Sequence, residues 1–220
     1  MFPLSEPPAL VLFDCDGVLV DSEPISNPIF TRQLDEAGVE VSLAGMQTRY
    51  VGMAMPDIRR AVQSEFGVEL DDAWHDRYRT LCDEAFARDL KAIPHVEGVI
   101  EALRQAGTSY CVASSGPIEK MQTTLGITNL LPFFEDCMFT GWDVPRSKPF
   151  PDLFLAAAAA YDTPPKQCVV IEDSAAGVRA GVAAGMPVLG FVPDNDAHKL
   201  AQEDAFLFND MQSLPHLLGL

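Results

Sequence analysis

Residues 9–23 read ALVLFDCDGVLVDSE, and this stretch decides the fold. Five apolar residues run without alternation into Asp14, a second acid follows at Asp16, and Gly17 breaks the chain. A continuous apolar run of this length is what a strand buried on both faces needs, and such strands belong to parallel sheets covered by helices. Similar runs recur at residues 109–116 (SYCVASSG), 168–174 (CVVIEDS) and 187–192 (PVLGFV), with shorter ones at 137–141 (CMFTG) and 205–208 (AFLF).

Helical patterns alternate with these runs, at residues 96–107, 117–126, 151–161 and 175–185. Gly107, Gly126 and Gly185 stand where helices should stop. The alanine run at 156–160 reads as a closely packing helix segment. Alternating strand and helix predicts an α/β fold, a parallel sheet with helices on both faces. Residues 21–92 break the rhythm: they carry helical patterns at 24–37, 56–66 and 71–90 and no buried strand. They are expected to form an all-helical insertion after the first strand. The core would then comprise residues 1–20 and 93–220.

The 220 residues are 48% apolar, enough for a well-buried core. Thirty-two acidic against fifteen basic residues give a net charge of -17. No basic surface is left to displace counterions from nucleic acid or an anionic membrane, so neither partner is expected. No apolar run reaches the roughly 18 residues of a membrane span. The opening MFPLSEPPAL lacks the basic start and long apolar stretch of a signal peptide and reads as a short leader. Cys15, Cys82, Cys111, Cys137 and Cys168 are odd in number and widely spaced. Free thiols in a reducing, cytoplasmic setting are expected.

In an open α/β sheet, ligands bind beyond the carboxyl ends of the strands. The apolar runs end in Asp14, Ser114 and Glu172–Asp173, and Lys148 follows the run at 137–141 by a short loop. These groups are thus expected to converge. Asp14 and Asp16, two residues apart, would put both carboxylates on one side of the chain and repel each other. Hard magnesium, bound by oxygens and keeping several waters, suits such a pair. Cys15 between them would turn away and pack. His75, His95, His198 and His216 have no acid or serine partner at a telling spacing and are read as surface or loop residues.

Four motifs now stand in order: DCDGV at 14–18, Ser114 in VASSG, Lys148 in SKPFPD and Glu172–Asp173 in VIEDSAAG. Together they resemble the haloacid dehalogenase superfamily, whose Rossmann-like core carries a helical cap after the first strand. The resemblance covers essentially the whole chain. It implies that Asp14 is a nucleophile toward phosphorus and Asp16 a general acid and base. It implies that Ser114 and Lys148 hold the transferring phosphoryl group. Magnesium would be held by Asp173, one Asp14 oxygen and the Asp16 carbonyl, with Glu172 a ligand or support. Ser115 and Gly116 are expected near the phosphate.

Asp16 argues against dehalogenase and phosphonate chemistry, whose relatives lack an acid there. β-Phosphoglucomutase-like members typically carry a histidine in a DTAxxH pattern, where DSEPIS here places Ser26. They also tend to follow the motif serine with a basic residue, and this chain has SSGPIEK. The stretches DCDGVLVDSE, SSGPIEKMQ and RSKPFP look like the branch that includes 6-phosphogluconate phosphatase. A phosphatase acting on a small phosphorylated metabolite, a sugar or sugar-acid phosphate, is expected, as a monomer or homodimer. In the cap, Arg49 and Gly52 are read as part of a closing loop over residues 49–56. Glu23, Ser26 and Asn27 are read as hinge-side residues facing substrate. Arg146 is close enough to Lys148 to touch substrate or to form a surface ion pair.

Overall fold

The computed structural model describes residues 6–193, 200 and 203–220. The expected leader at its first five positions, and His198, lie outside them. Among the described residues six strands form a parallel sheet: β1 (Leu10–Phe13), β2 (Ser109–Ser114), β3 (Met138–Thr140), β4 (Cys168–Glu172), β5 (Val188–Phe191) and β6 (Phe206–Phe208), ordered β3-β2-β1-β4-β5-β6. Every residue of β1 and β4 is buried, as their unbroken apolar runs require.

Period-two alternation divides the strands between two apolar layers. Val11, Phe13, Val112, Val169 and Ile171 face one side and pack on α5 (Val96–Ala106), α6 (Ile118–Ile127), α7 (Leu131–Phe134) and α10 (Leu214–Leu217). Leu10, Leu12, Cys111, Ala113 and Val170 face the other, against α8 (Asp152–Ala160) and α9 (Ala175–Ala183). Each fully buried aliphatic or Phe side chain stabilises the fold by about 1.5–3 kcal/mol. The sequence reading of a Rossmann-like sheet with helices on both faces therefore holds. All five cysteines are free.

Between β1 and β2 the chain forms α1 (Glu23–Glu36), α2 (Leu43–Tyr50), α3 (Met55–Phe66) and α4 (Asp72–Asp89). These helices have an apolar centre of their own, built on Phe30, Leu34, Met46, Tyr50, Ile58 and Val62. Phe30 makes edge contacts with Tyr50, Trp74 and Tyr78. The two connections to the sheet run side by side: Asp21 N donates to Lys91 O at 2.9 Å and Ile93 N to Leu19 O at 2.9 Å.

Helix α2 corrects the expected loop at 49–56. Ser42 caps it, accepting from Gly45 N, and Met46 and Tyr50, one turn apart, bury its inner face. The connecting segment shrinks to residues 51–54. No described helix is long and apolar enough to cross a membrane.

Candidate active site

In this strand order β1 lies between β2 and β4, so the sheet's direction of winding reverses at the carboxyl ends of β1 and β4, the crevice where open α/β sheets bind ligands. Register brings the acids together there, because Phe13 pairs with Ile171 and Asp14 N donates to Ile171 O at 2.9 Å. Carboxylate oxygens of Asp14, Glu172 and Asp173 all lie within 4.8 Å of one another.

Lys148 reaches this group from the loop after β3 and is 1% exposed. Its Nζ donates to Asp14 at 2.5 Å, to Glu172 at 2.6 Å and to the Ala113 carbonyl at 2.9 Å. Glu172 is wholly enclosed. Its second oxygen accepts from Asp173 N, Ser174 N and Ser174 Oγ, at 2.9–3.0 Å. Glu172 thus braces Lys148 and the turn into α9, where Ser174 caps the helix by accepting from Gly177 N.

Asp16 turns elsewhere. Its two oxygens accept from Ser22 Oγ at 2.6 Å and from Lys120 Nζ at 2.7 Å. Burial pushes its carboxyl up, but the charge of Lys120 and the two hydrogen bonds outweigh burial and hold it below the usual range. Asp14 behaves oppositely. Burial raises it to about 7, Lys148 opposes, and the negative charges of Glu172 and Asp16 add to the rise. Burial, Glu23 and Glu172 push Asp173 well up too.

Four carboxylates (Asp14, Asp16, Glu172, Asp173) therefore face two ammonium groups (Lys120, Lys148). Negative charge is in surplus there, with Glu23 adding to it at Asp173, and an all-oxygen donor set in such a surplus suits a hard cation. Gly17 makes room for Asp173: its φ is +79°, and a Cβ there would lie 1.9 Å from Asp173 Oδ2. The residues present thus fit a cation held by Asp14 and Asp173.

Above these groups lies a cavity of about 170 Å³. Asp14, Asp16, Asp173, Ser114, Ser115, Gly116 and Lys120 form its floor. Glu23, Ser26 and Asn27 of α1, Gly52 and Met53 of the connecting segment, and His75, Tyr78 and Arg79 of α4 form its walls. The insertion touches the core here. Ser115 Oγ donates to the Gly52 carbonyl at 2.7 Å, and Gly52, at φ +83°, comes so close to α9 that a Cβ would lie 2.3 Å from Ser174 Oγ.

Several sequence expectations are placed differently. Arg49 ends α2 on the surface, paired with Glu65 and stacked 5.9 Å from the Phe66 ring, and does not line the cavity. Lys148 is not among the lining residues either; it reaches Asp14 from the protein side. Lys120 is the lysine that lines it. His75 is neither a loop nor a plain surface residue but a half-buried group of the cavity wall. His95 and His216 are exposed as read. Arg146 forms an ion pair with Asp152 at 2.8 Å. Cys15 packs inside, its Sγ 3.9 Å from Thr124 Oγ1.

A parallel sheet in this order, an acid pair leaving its first strand, a buried lysine joining that strand to an acidic β4 end and helices inserted after β1 define a haloacid dehalogenase-like hydrolase. The model of that family matches residues 8–185, and the chain belongs to it. 6-Phosphogluconate phosphatase of Escherichia coli (strain K12) is 35% identical over 209 residues, covering 94% of this chain and 93% of the relative. Validoxylamine A 7'-phosphate phosphatase of Streptomyces hygroscopicus subsp. limoneus is 33% identical, covering 90% and 92%. Among solved structures, a conserved haloacid dehalogenase-like protein from Agrobacterium tumefaciens str. C58 superposes with a TM-score of 0.77 at 35% identity, over 96% of this chain and 97% of that one.

Proposed function

We propose that this hydrolase is a magnesium-dependent phosphatase of a small phosphorylated sugar or sugar acid, working through a phosphoaspartate at Asp14. The observation that carries the reading is that Asp14 and Asp16 line one cavity floor, with Asp173 beside Asp14 and Lys148 bonded to Asp14 from the protein side. Asp14 sits at the buried strand end, where Lys148 orients it. One of its oxygens attacks phosphorus, and the bond from phosphorus to the leaving alkoxide breaks. Asp16 is held as a carboxylate by Lys120 and Ser22, but like charge from the arriving phosphate dianion raises its proton affinity, and in the acid form it gives that alkoxide its proton. Water then attacks the phosphoaspartate, Asp16 takes the water's proton, and inorganic phosphate leaves with Asp14 restored.

Each approach of anion to anion costs roughly 5 kcal/mol at 3.5 Å and an effective dielectric near 20. Lys120 and Lys148 offset part of this, and magnesium held by Asp14 and Asp173 would supply the remaining charge neutralisation. Ser114 Oγ and the backbone around Gly116 border the same floor and suit the phosphoryl oxygens. Residues 21–92 act as the cap over a core of residues 1–20 and 93–220 in this reading. Among phosphatase relatives, the one named for 6-phosphogluconate, a phosphorylated sugar acid, supports a substrate of that class.

The test is phosphate release from 6-phosphogluconate, sorbitol 6-phosphate and glucose 6-phosphate with magnesium, with excess chelator, and with Asp14→Asn. Turnover should need magnesium and vanish in the variant. Undiminished release by Asp14→Asn would overturn the covalent route, and undiminished release in chelator the metal.

A further inference from the structure

The cap carries seven arginines among the described residues, and six are ion-paired: Arg32, Arg49, Arg59, Arg60, Arg77 and Arg88. Arg79 forms no ion pair with any described residue, and it lines the cavity. In a chain of net charge -17 an unpaired arginine at the mouth of a substrate cavity is conspicuous. His75, one helical turn earlier on α4, lines the same wall, and the positive charge of Arg79 is felt at its ring. Across from them Asn27 of α1, 8% exposed, also lines the cavity, and its Nδ2 is buried with no hydrogen-bond partner among the described residues. A buried amide donor left without a partner costs roughly 1–3 kcal/mol.

Position along α4 separates this cluster from the reacting groups. Cys82 lies near enough to feel the charges of Lys120 and Asp16, and Phe86 packs in the sheet's apolar layer. Arg79 lies three and His75 seven residues back toward the cap, about 4.5 and 10 Å along the helix axis at 1.5 Å per residue. A small substrate whose phosphoryl group rests at Asp14 would therefore present its other end to Arg79, His75 and Asn27.

We propose that Arg79, with His75 and Asn27, forms a subsite for a carboxylate at the end of the substrate remote from phosphorus. The proposal rests on the phosphatase reading above for which end faces Asp14. A guanidinium matches a carboxylate through two parallel hydrogen bonds, and Asn27 Nδ2 supplies a further donor. One unpaired arginine balances one unit charge. A second phosphoryl group would bring nearly two, with Asp83 lining the wall one turn beyond Arg79.

Two arms test this. In turnover, the ratio of kcat/KM for 6-phosphogluconate to that for sorbitol 6-phosphate, which has an alcohol where gluconate has its carboxylate, should fall about 10- to 100-fold in Arg79→Ala and less in Arg79→Lys. An unchanged ratio overturns the subsite. In binding, calorimetry with Asp14→Asn, which holds ligand without consuming it, should show the same Arg79-dependent preference for 6-phosphogluconate. Fructose 1,6-bisphosphate binding more tightly than 6-phosphogluconate, through Arg79, would overturn the carboxylate assignment. Arg79-dependent binding of 6-phosphogluconate with no phosphate release by the native enzyme would uphold the subsite and reject the phosphatase reading.

Discussion

Lys120 Nζ and Asp16 Oδ2 lie 2.7 Å apart, joined across 104 positions of sequence. The lysine stabilises the Asp16 carboxylate, the form that would accept the proton of water in the mechanism proposed above. Lys120→Met should raise the Asp16 pKa, because the largest opposing influence to its burial is gone. The acid-side limb of the kcat profile, which reports the base form, should move to higher pH. A pH–rate profile of the variant checks this, and an unmoved limb would separate Lys120 from proton transfer.

Lys148 stabilises two enclosed carboxylates at once. Lys148→Met keeps the volume but strands Glu172 with a charge and no counterion, which should cost about 3–5 kcal/mol of stability. Adding Glu172→Gln should recover part of that loss, since the stranded charge is then absent. Urea unfolding of the single and double variants gives the comparison. Equal losses in both would mean that the ion pair is not what the lysine contributes.

Without metal, stability should decline as pH rises from about 4 toward 7. Asp14, raised to about 7, keeps its proton in the folded protein after the unfolded chain has released it. Asp173, also raised, works in the same direction. Magnesium should therefore increase Tm more at pH 8 than at pH 5, where it competes with bound protons. Thermal melts in chelator and in magnesium across that range test the sign, and a metal effect larger at pH 5 would contradict it.

Gly52→Val should weaken catalysis through the cap, because both its φ and the nearness of Ser174 exclude a side chain. A loss of about tenfold or more in kcat/KM is expected, roughly 1.4 kcal/mol. Arg49→Ala, outside the cavity, should leave the rank order of substrates unchanged. Measuring both on five or six sugar phosphates separates the roles, and an altered rank order in Arg49→Ala would show that the surface end of α2 reaches substrate.

The sheet and its acids are legible in sequence because a strand buried on both faces cannot hide: β1 and β4 are unbroken apolar runs, and their polar ends mark the crevice. Other features are not legible, for separate physical reasons. Helix α2 is only eight residues long and carries a glycine, so its two buried turns barely register as a period. Lys120 stands in the first turns of α6 like any solvated lysine, and only the tertiary fold brings Asp16 to it. His75 and Arg79 lie on a polar helix face, and hydropathy cannot distinguish a face turned wholly to bulk water from one that borders a cavity.

The clasp between Ser115 and Gly52 uses a side chain on the core and only main chain on the cap. Its cap half is therefore indifferent to which side chains α1 and α4 display. If Asn27, His75 and Arg79 read the substrate as proposed, descendants of such a protein can exchange them, and so admit a different metabolite, while inheriting the same contact between insertion and sheet. On that reading, diversification of appetite and seating of the insertion are encoded at separate addresses.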